Sequence, residues 1–188
     1  MEMPKTATAS TKPLAIKMLM ADHRKVEDLF VQYESAKDAH DESRKDIATK
    51  ICNELTIHAT IEEEIFYPWL REALDEDDME MVEEAQVEHD GARDLIAQIE
   101  DTPEVDSVFD AKVKVLSEYI KHHVKEEEQE IFPSVAEERE TLEELGQQMQ
   151  ARKVELKDEL QIEDDEGDPV KGRKAGNGSS DSRKTAAR

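Results

Sequence analysis

Two stretches of this chain are copies of one another. His58-Ala-Thr-Ile-Glu62-Glu-Glu-Ile-Phe-Tyr-Pro68 lies over His123-Val-Lys-Glu-Glu127-Glu-Gln-Glu-Ile-Phe-Pro133, with the His, Glu and Pro each displaced by 65 residues. Upstream, Asp22-His23 lies over Glu88-His89 at a displacement of 66, and both run on to an Asp-Leu pair, Asp28-Leu29 and Asp94-Leu95. A repeat of this length is one supersecondary unit used twice. Each unit is a helix pair that carries one histidine on its first helix and His-x3-Glu on its second.

The helices follow from apolar residues recurring at steps of three and four. Leu19, Val26, Phe30 and Tyr33 make one stripe, and Ile47, Ile51, Leu55, Ile65 and Trp69 a second. Val82, Ala85, Ala92, Ile96 and Ile99 make a third, and Val113, Leu116, Ile120 and Ile131 a fourth. The spacing predicts helices over residues 14–36, 43–72, 78–101 and 105–137. Pro68 and Pro133 bend or end the second and fourth, because proline has no N–H to donate. Asp75-Glu76-Asp77-Asp78 supplies a turn and N-cap before the third, and Thr102-Pro103 closes it. Four helices with short loops make an all-α, up-down-up-down bundle over residues 14–137. An additional helix over 138–163 has Leu142, Leu145, Met149, Leu156 and Leu160 on one side. Packing on the bundle, pairing with another chain and fraying are all open to it. Residues 1–13 read as a flexible lead-in and 164–188 as a disordered basic tail.

Charge narrows the function classes. The 25 Lys and Arg against 48 Asp and Glu give −23. Residues 167–188, with six Lys or Arg and two Asp, carry +4, which leaves −27 on residues 1–166. Such a body is a poor match for nucleic-acid phosphates. No apolar run approaches the ~18–20 residues of a membrane span. The single cysteine, Cys52, cannot form an internal disulfide and reads as core filler. Leu14–Ala21 is short, interrupted by Lys17 and lacks a basic lead, so it is no signal peptide, and a cytoplasmic location is expected.

On a helix, residues four apart share a face, with Cβ atoms ~5–6 Å apart. His58 and Glu62 continue the line of Ile51 and Leu55, and His123 and Glu127 that of Leu116 and Ile120. His23 falls between Leu19 and Val26, and His89 between Ala85 and Ala92. Four imidazoles and two carboxylates therefore share one interior layer. His-x3-Glu alone says little, since four of the six histidines have Glu at +4 (Glu27, Glu62, Glu126 and Glu127). The weight lies in the repeat and in the cost of burying two carboxylates without a cation. His40 reads as a loop residue and His122 as solvent-facing. Glu63, Glu64, Glu126 and Glu128 read as a solvated face, with one of them open to a role behind the ligands. Glu27 has Arg93 as its repeat counterpart, which argues against it as a ligand. Tyr119, one turn before His123, is the hydroxyl weighed for a place near the site, against core.

Imidazole with carboxylate and no thiolate favours iron, with manganese or zinc as alternatives. Six side chains from four helices are too many for one four-coordinate ion and suit two ions bridged by the carboxylates. With two histidines per ion and a shared oxo or hydroxo group, a six-coordinate ion keeps a position open for dioxygen or peroxide. The Glu-x-x-His pattern of ferritin-like sites is absent, as are an H-E-x-x-H helix and an EF-hand loop.

As an ordered set, His23, His58-x3-Glu62, His89 and His123-x3-Glu127, with their "IFYP" and "IFP" endings, resembles the hemerythrin-like (HHE cation-binding) domain family over residues 14–137. The resemblance implies a four-helix bundle around a non-haem di-iron centre ligated by these six residues. Oxygen-carrying members have a further His one turn away on the third helix and an Asp where Glu127 stands. Here Ala85 and Arg93 flank His89, so the donor set is one imidazole short of a carrier's. The implied ligand is a small diatomic, O2 or NO, or peroxide, with catalase-like decomposition as the possible reaction. The alternatives without turnover are a metal- or oxygen-sensing module, with the extra helix and tail as its output, and iron buffering.

Overall fold

The computed structural model describes residues 12–37 and 41–162. The predicted flexible lead-in, apart from Lys12 and Pro13, the basic tail and His40 lie outside the described residues. Helix α1 (Leu14–Ala36) pairs with α2 (Asp41–Ile61), which passes through a π turn (Glu62–Phe66) into α3 (Tyr67–Ala73). Helix α4 (Glu76–Glu100) pairs with α5 (Ser107–Glu126), which passes through a second π turn (Glu127–Ile131) into the short α6 (Phe132–Ser134). Helix α7 (Arg139–Glu159) completes the described chain, which contains no strand. The cap expected ahead of α4 is present, and a second one, inside the helix expected from residue 105, starts α5 two residues later. Asp75 accepts from the Asp78 amide at 3.1 Å ahead of α4, and Asp106 accepts from the Val108 and Phe109 amides at 2.9 Å ahead of α5.

Two of the expected helices, 43–72 and 105–137, are not unbroken. Neither Pro68 nor Pro133 can donate to the carbonyl four residues back, and the turn before each widens by one residue. The Tyr67 amide bonds the Glu62 carbonyl, and the Phe132 amide bonds that of Glu127. Each π turn therefore begins at a predicted ligand. The extra residue also advances the inward face. Ile65 and Trp69, expected in the stripe, are half-buried, while Phe66, Tyr67 and Leu70 are buried in their place.

The core is two apolar clusters with a polar layer between them. One holds Leu19, Ile61, Phe66, Ala85 and Ile131; the other holds Val26, Leu55, Ala92 and Ile120. Along α1, α4 and α5 the chain crosses from one cluster to the other at His23, at His89, and at His123 with Glu127. Cys52 is buried in the second cluster, as expected.

Of the three fates open to the extra helix, the structure shows packing on the bundle. Helix α7 lies against α1, α2 and the first π turn. Leu142, Leu145, Met149 and Leu156 are buried, whereas Leu160, expected on the same stripe, is exposed at the helix end. Glu143 of α7 accepts from the Leu14 amide at 3.1 Å, closing the uncapped start of α1 from across the interface.

Candidate metal centre

All six residues that the repeat singled out are buried in one layer, with Glu62 and Glu127 fully enclosed at 0% exposure. Each imidazole turns its Nε2 atom inward. His23 Nε2 lies 3.2 Å from His58 Nε2, and His89 Nε2 lies 3.1 Å from His123 Nε2. The carboxylates sit across the two pairs. Glu62 Oε2 is 3.2 Å from His58 Nε2 and 3.4 Å from His89 Nε2. Glu127 Oε2 is 3.1 Å from His23 Nε2 and 3.5 Å from His123 Nε2. Each glutamate thus places one oxygen, Oε2, between a histidine of one pair and a histidine of the other.

The outward nitrogens follow the same two-fold pattern. His23 Nδ1 is 2.8 Å from Glu128, His89 Nδ1 is 2.8 Å from Glu63, and His123 Nδ1 is 2.9 Å from Glu88. An ionised carboxylate only accepts, so Nδ1 of these three rings carries a proton, and in the neutral ring Nε2 is the nitrogen left to ligate. His58 Nδ1 faces Asp22 at 3.7 Å, beyond hydrogen-bond length. The carboxylates behind the rings are themselves held. Arg24 bonds Glu128, Arg93 bonds Glu63, and Lys153 of α7 bonds Asp22. Glu63 and Glu128 are therefore not a solvated face; they orient ligands from behind. Glu64 does face solvent, paired with Arg152 of α7. His122 is exposed, as expected. Glu27 bonds Arg24 and its counterpart Arg93 bonds Asp90, so the repeat keeps one ion pair with its charges exchanged.

The hydroxyl near the site is Tyr67, not Tyr119. Tyr67 donates to Glu127 Oε1 at 3.0 Å and stacks on His89 with ring centroids 5.4 Å apart. Its counterpart Phe132 stacks on His23 at 5.9 Å and has no hydroxyl to offer. Tyr119 lies half-buried beside Gly91. An unbroken α-helix puts Tyr67 off the inward face, so periodicity missed it. The only available signal was the proline, which forces the wider turn.

Both oxygens of Glu62 and Oε2 of Glu127 are buried with no hydrogen-bond donor. Burial, and then repulsion from Glu127, pushes the Glu62 carboxyl well above its ordinary range. Burial would raise Glu127 too, but His123 and His23 overcome it and hold that carboxyl low. Burial lowers His58 to about 4, against the pull of Asp22. Lone pairs and carboxylate oxygens converging without donors are what a cation satisfies, and the residues present fit a metal pair. Two sets converge closely enough to hold an ion, His23 with His58, Glu62 and Glu127, and Glu62 with His89 and His123.

A small pocket of about 20 Å³ abuts the four rings, with Val26, Leu55, Ala92, Ile96 and Ile120 among its walls. No described helix is long and apolar enough to cross a membrane.

Comparison with known proteins agrees with this geometry. The chain is 28% identical over 118 residues to a protein of Nostoc named DNA nickase, a match spanning 63% of this chain but only 32% of that protein. Its fold matches the crystal structure of a hemerythrin HHE cation-binding domain-containing protein from Mycobacterium kansasii. That match has a TM-score of 0.65 and 23% identity, and covers 81% of this chain and 91% of that one. The family profile of the hemerythrin HHE cation-binding domain matches residues 14–135. The chain belongs to the hemerythrin HHE cation-binding family.

Proposed function

We propose that the protein holds a non-haem di-iron centre on His23, His58, Glu62, His89, His123 and Glu127, within a bundle domain spanning residues 14–137, and binds O2, NO or peroxide there. The supporting observation is three buried carboxylate oxygens without a donor, both of Glu62 and Oε2 of Glu127, ringed by four imidazoles with a mainly apolar pocket directly against them. When bound, the irons supply Lewis acidity and one-electron redox change. The chain does the rest. Carboxylates behind the rings fix three of the four imidazoles with Nε2 inward, Tyr67 orients Glu127 through Oε1, and Val26, Leu55 and Ile120 keep the approach dry. An approach this small and mainly apolar admits a diatomic or peroxide and discriminates against larger, charged metabolites. With Ala85 and Arg93 where a carrier's extra imidazole would stand, ligand activation, including catalase-like decomposition of peroxide, fits better than reversible carriage. DNA chemistry is not extended from the Nostoc relative, because a body of −27 repels phosphates.

Protein grown with added iron and assayed for metal is expected to hold about two irons per chain, as in other carboxylate-bridged sites. Its near-ultraviolet and visible bands should shift on adding NO or peroxide. Less than about one iron per chain, or full iron in His58→Ala or Glu62→Ala, would overturn the assignment. Oxygen evolution from added peroxide, absent in those variants, marks turnover.

A further inference from the structure

We propose that an acidic cleft between α4 and the second π turn is the port through which a divalent metal cation reaches the buried site. The proposal rests on the dinuclear metal reading above and concerns how the ions arrive. The cleft has a volume of about 40 Å³; Glu84, Glu88, Glu126 and Glu130 line it, and Glu127 and His123 are among its walls. His122 joins this cluster, with Nδ1 3.4 Å from Glu126 and Nε2 4.0 Å from Glu88. Glu127 is fully buried, and its Oε2, which also faces His23 and His123, has no hydrogen-bond donor. A row of carboxylates thus leads from solvent to an unpartnered carboxylate oxygen at the site.

The repeat shows that this acidity is particular to one half. Met18, Ile57, Ile61 and Ile65 occupy the first-half positions equivalent to Glu84, His122, Glu126 and Glu130. Those four belong to the same apolar cluster as Met149 and Leu156 of α7, which seals that face. The pocket against the histidines is walled mainly by apolar side chains, with Asp22 the one carboxylate and Arg93 a repelling cation among them, and offers a hydrated cation few replacements for its water. The acidic cleft does offer it, as hard oxygen ligands in succession, and its charge raises the local cation concentration.

Glu88 holds His123 and is left intact in the test. Metal-free full-length protein carrying Glu84→Gln, Glu126→Gln and Glu130→Gln is mixed anaerobically with Fe2+ at low ionic strength. A chromogenic ferrous chelator then counts the iron not yet taken up. A control carries Asp28→Asn, Asp94→Asn and Glu104→Gln, exposed acids that do not line the cleft. The cleft variant is expected to load about three- to tenfold more slowly, with a weaker dependence on salt and an unchanged final iron content. Loading at the wild-type rate, or equal slowing in the control, overturns the port. A lower final content also overturns it, since the acids would then be ligands or stores. Wild-type protein that takes up no stoichiometric iron overturns the dinuclear reading itself, and the port with it.

Discussion

Three of the four central imidazoles, His23, His89 and His123, divide their nitrogens between a carboxylate outside and the centre inside, and the outer partner decides which nitrogen is free to ligate. That is why Glu63, Glu88 and Glu128 matter as much as their exposed neighbours do not. Tyr67 breaks the two-fold symmetry, for it adds a hydroxyl where the other half has Phe132. Replacing it with the residue its counterpart already uses should leave the fold intact. Tyr67→Phe is expected to destabilise the metal-free protein by about 1.5–3 kcal/mol in urea unfolding, the worth of a hydrogen bond to a charged acceptor. In iron-loaded protein it should shift the absorption bands while iron content holds. A fall in content to half would show instead that Tyr67 is itself a ligand.

Among the elements, the π turns and α7 do what a regular bundle would not. Each π turn starts at a buried central glutamate, Glu62 or Glu127, and changes which residues face inward just beyond it. Helix α7 seals the first half and reaches the site through Lys153, which holds Asp22 opposite His58. Its close approach depends on Gly146, where an added Cβ would fall 2.5 Å from the Ala15 backbone nitrogen and 2.7 Å from the Leu14 side chain. Backbone cannot yield as a flexible side chain does. Gly146→Ala should therefore cost about 1–3 kcal/mol, as overpacking does. It should also speed hydrogen exchange across Arg139–Glu159 beyond that of α4. Wild-type stability in this variant would mean that α7 is not held tightly against α1.

For the whole molecule, two apolar clusters sandwich a layer whose charges do not balance on their own. Metal bound to the folded form alone adds RT ln(1 + [L]/Kd), about 2.7 kcal/mol at a hundredfold excess over Kd. Stripping with a chelator should lower Tm by several degrees in calorimetry, and re-adding Fe2+ should restore it. A Tm indifferent to the metal would mean that the layer is stable as a purely protein network. The sequence by itself determined the helix pairs, the bundle and the six inward residues, because a 65-residue repeat and a three-to-four period are local quantities that survive without coordinates. It also made −23 informative once divided into an acidic body and a basic tail, with Glu62 and Glu127 withdrawn from the surface. Only the tertiary structure decided which acids stand behind the rings, since Glu128 reaches His23 and Glu63 reaches His89 across the bundle, between residues about a hundred and 26 positions apart. It likewise decided the docking of α7 and the inward turn of Tyr67. An apolar stripe does not name its partner, and a proline announces a break in the helix without saying that the turn will widen rather than end.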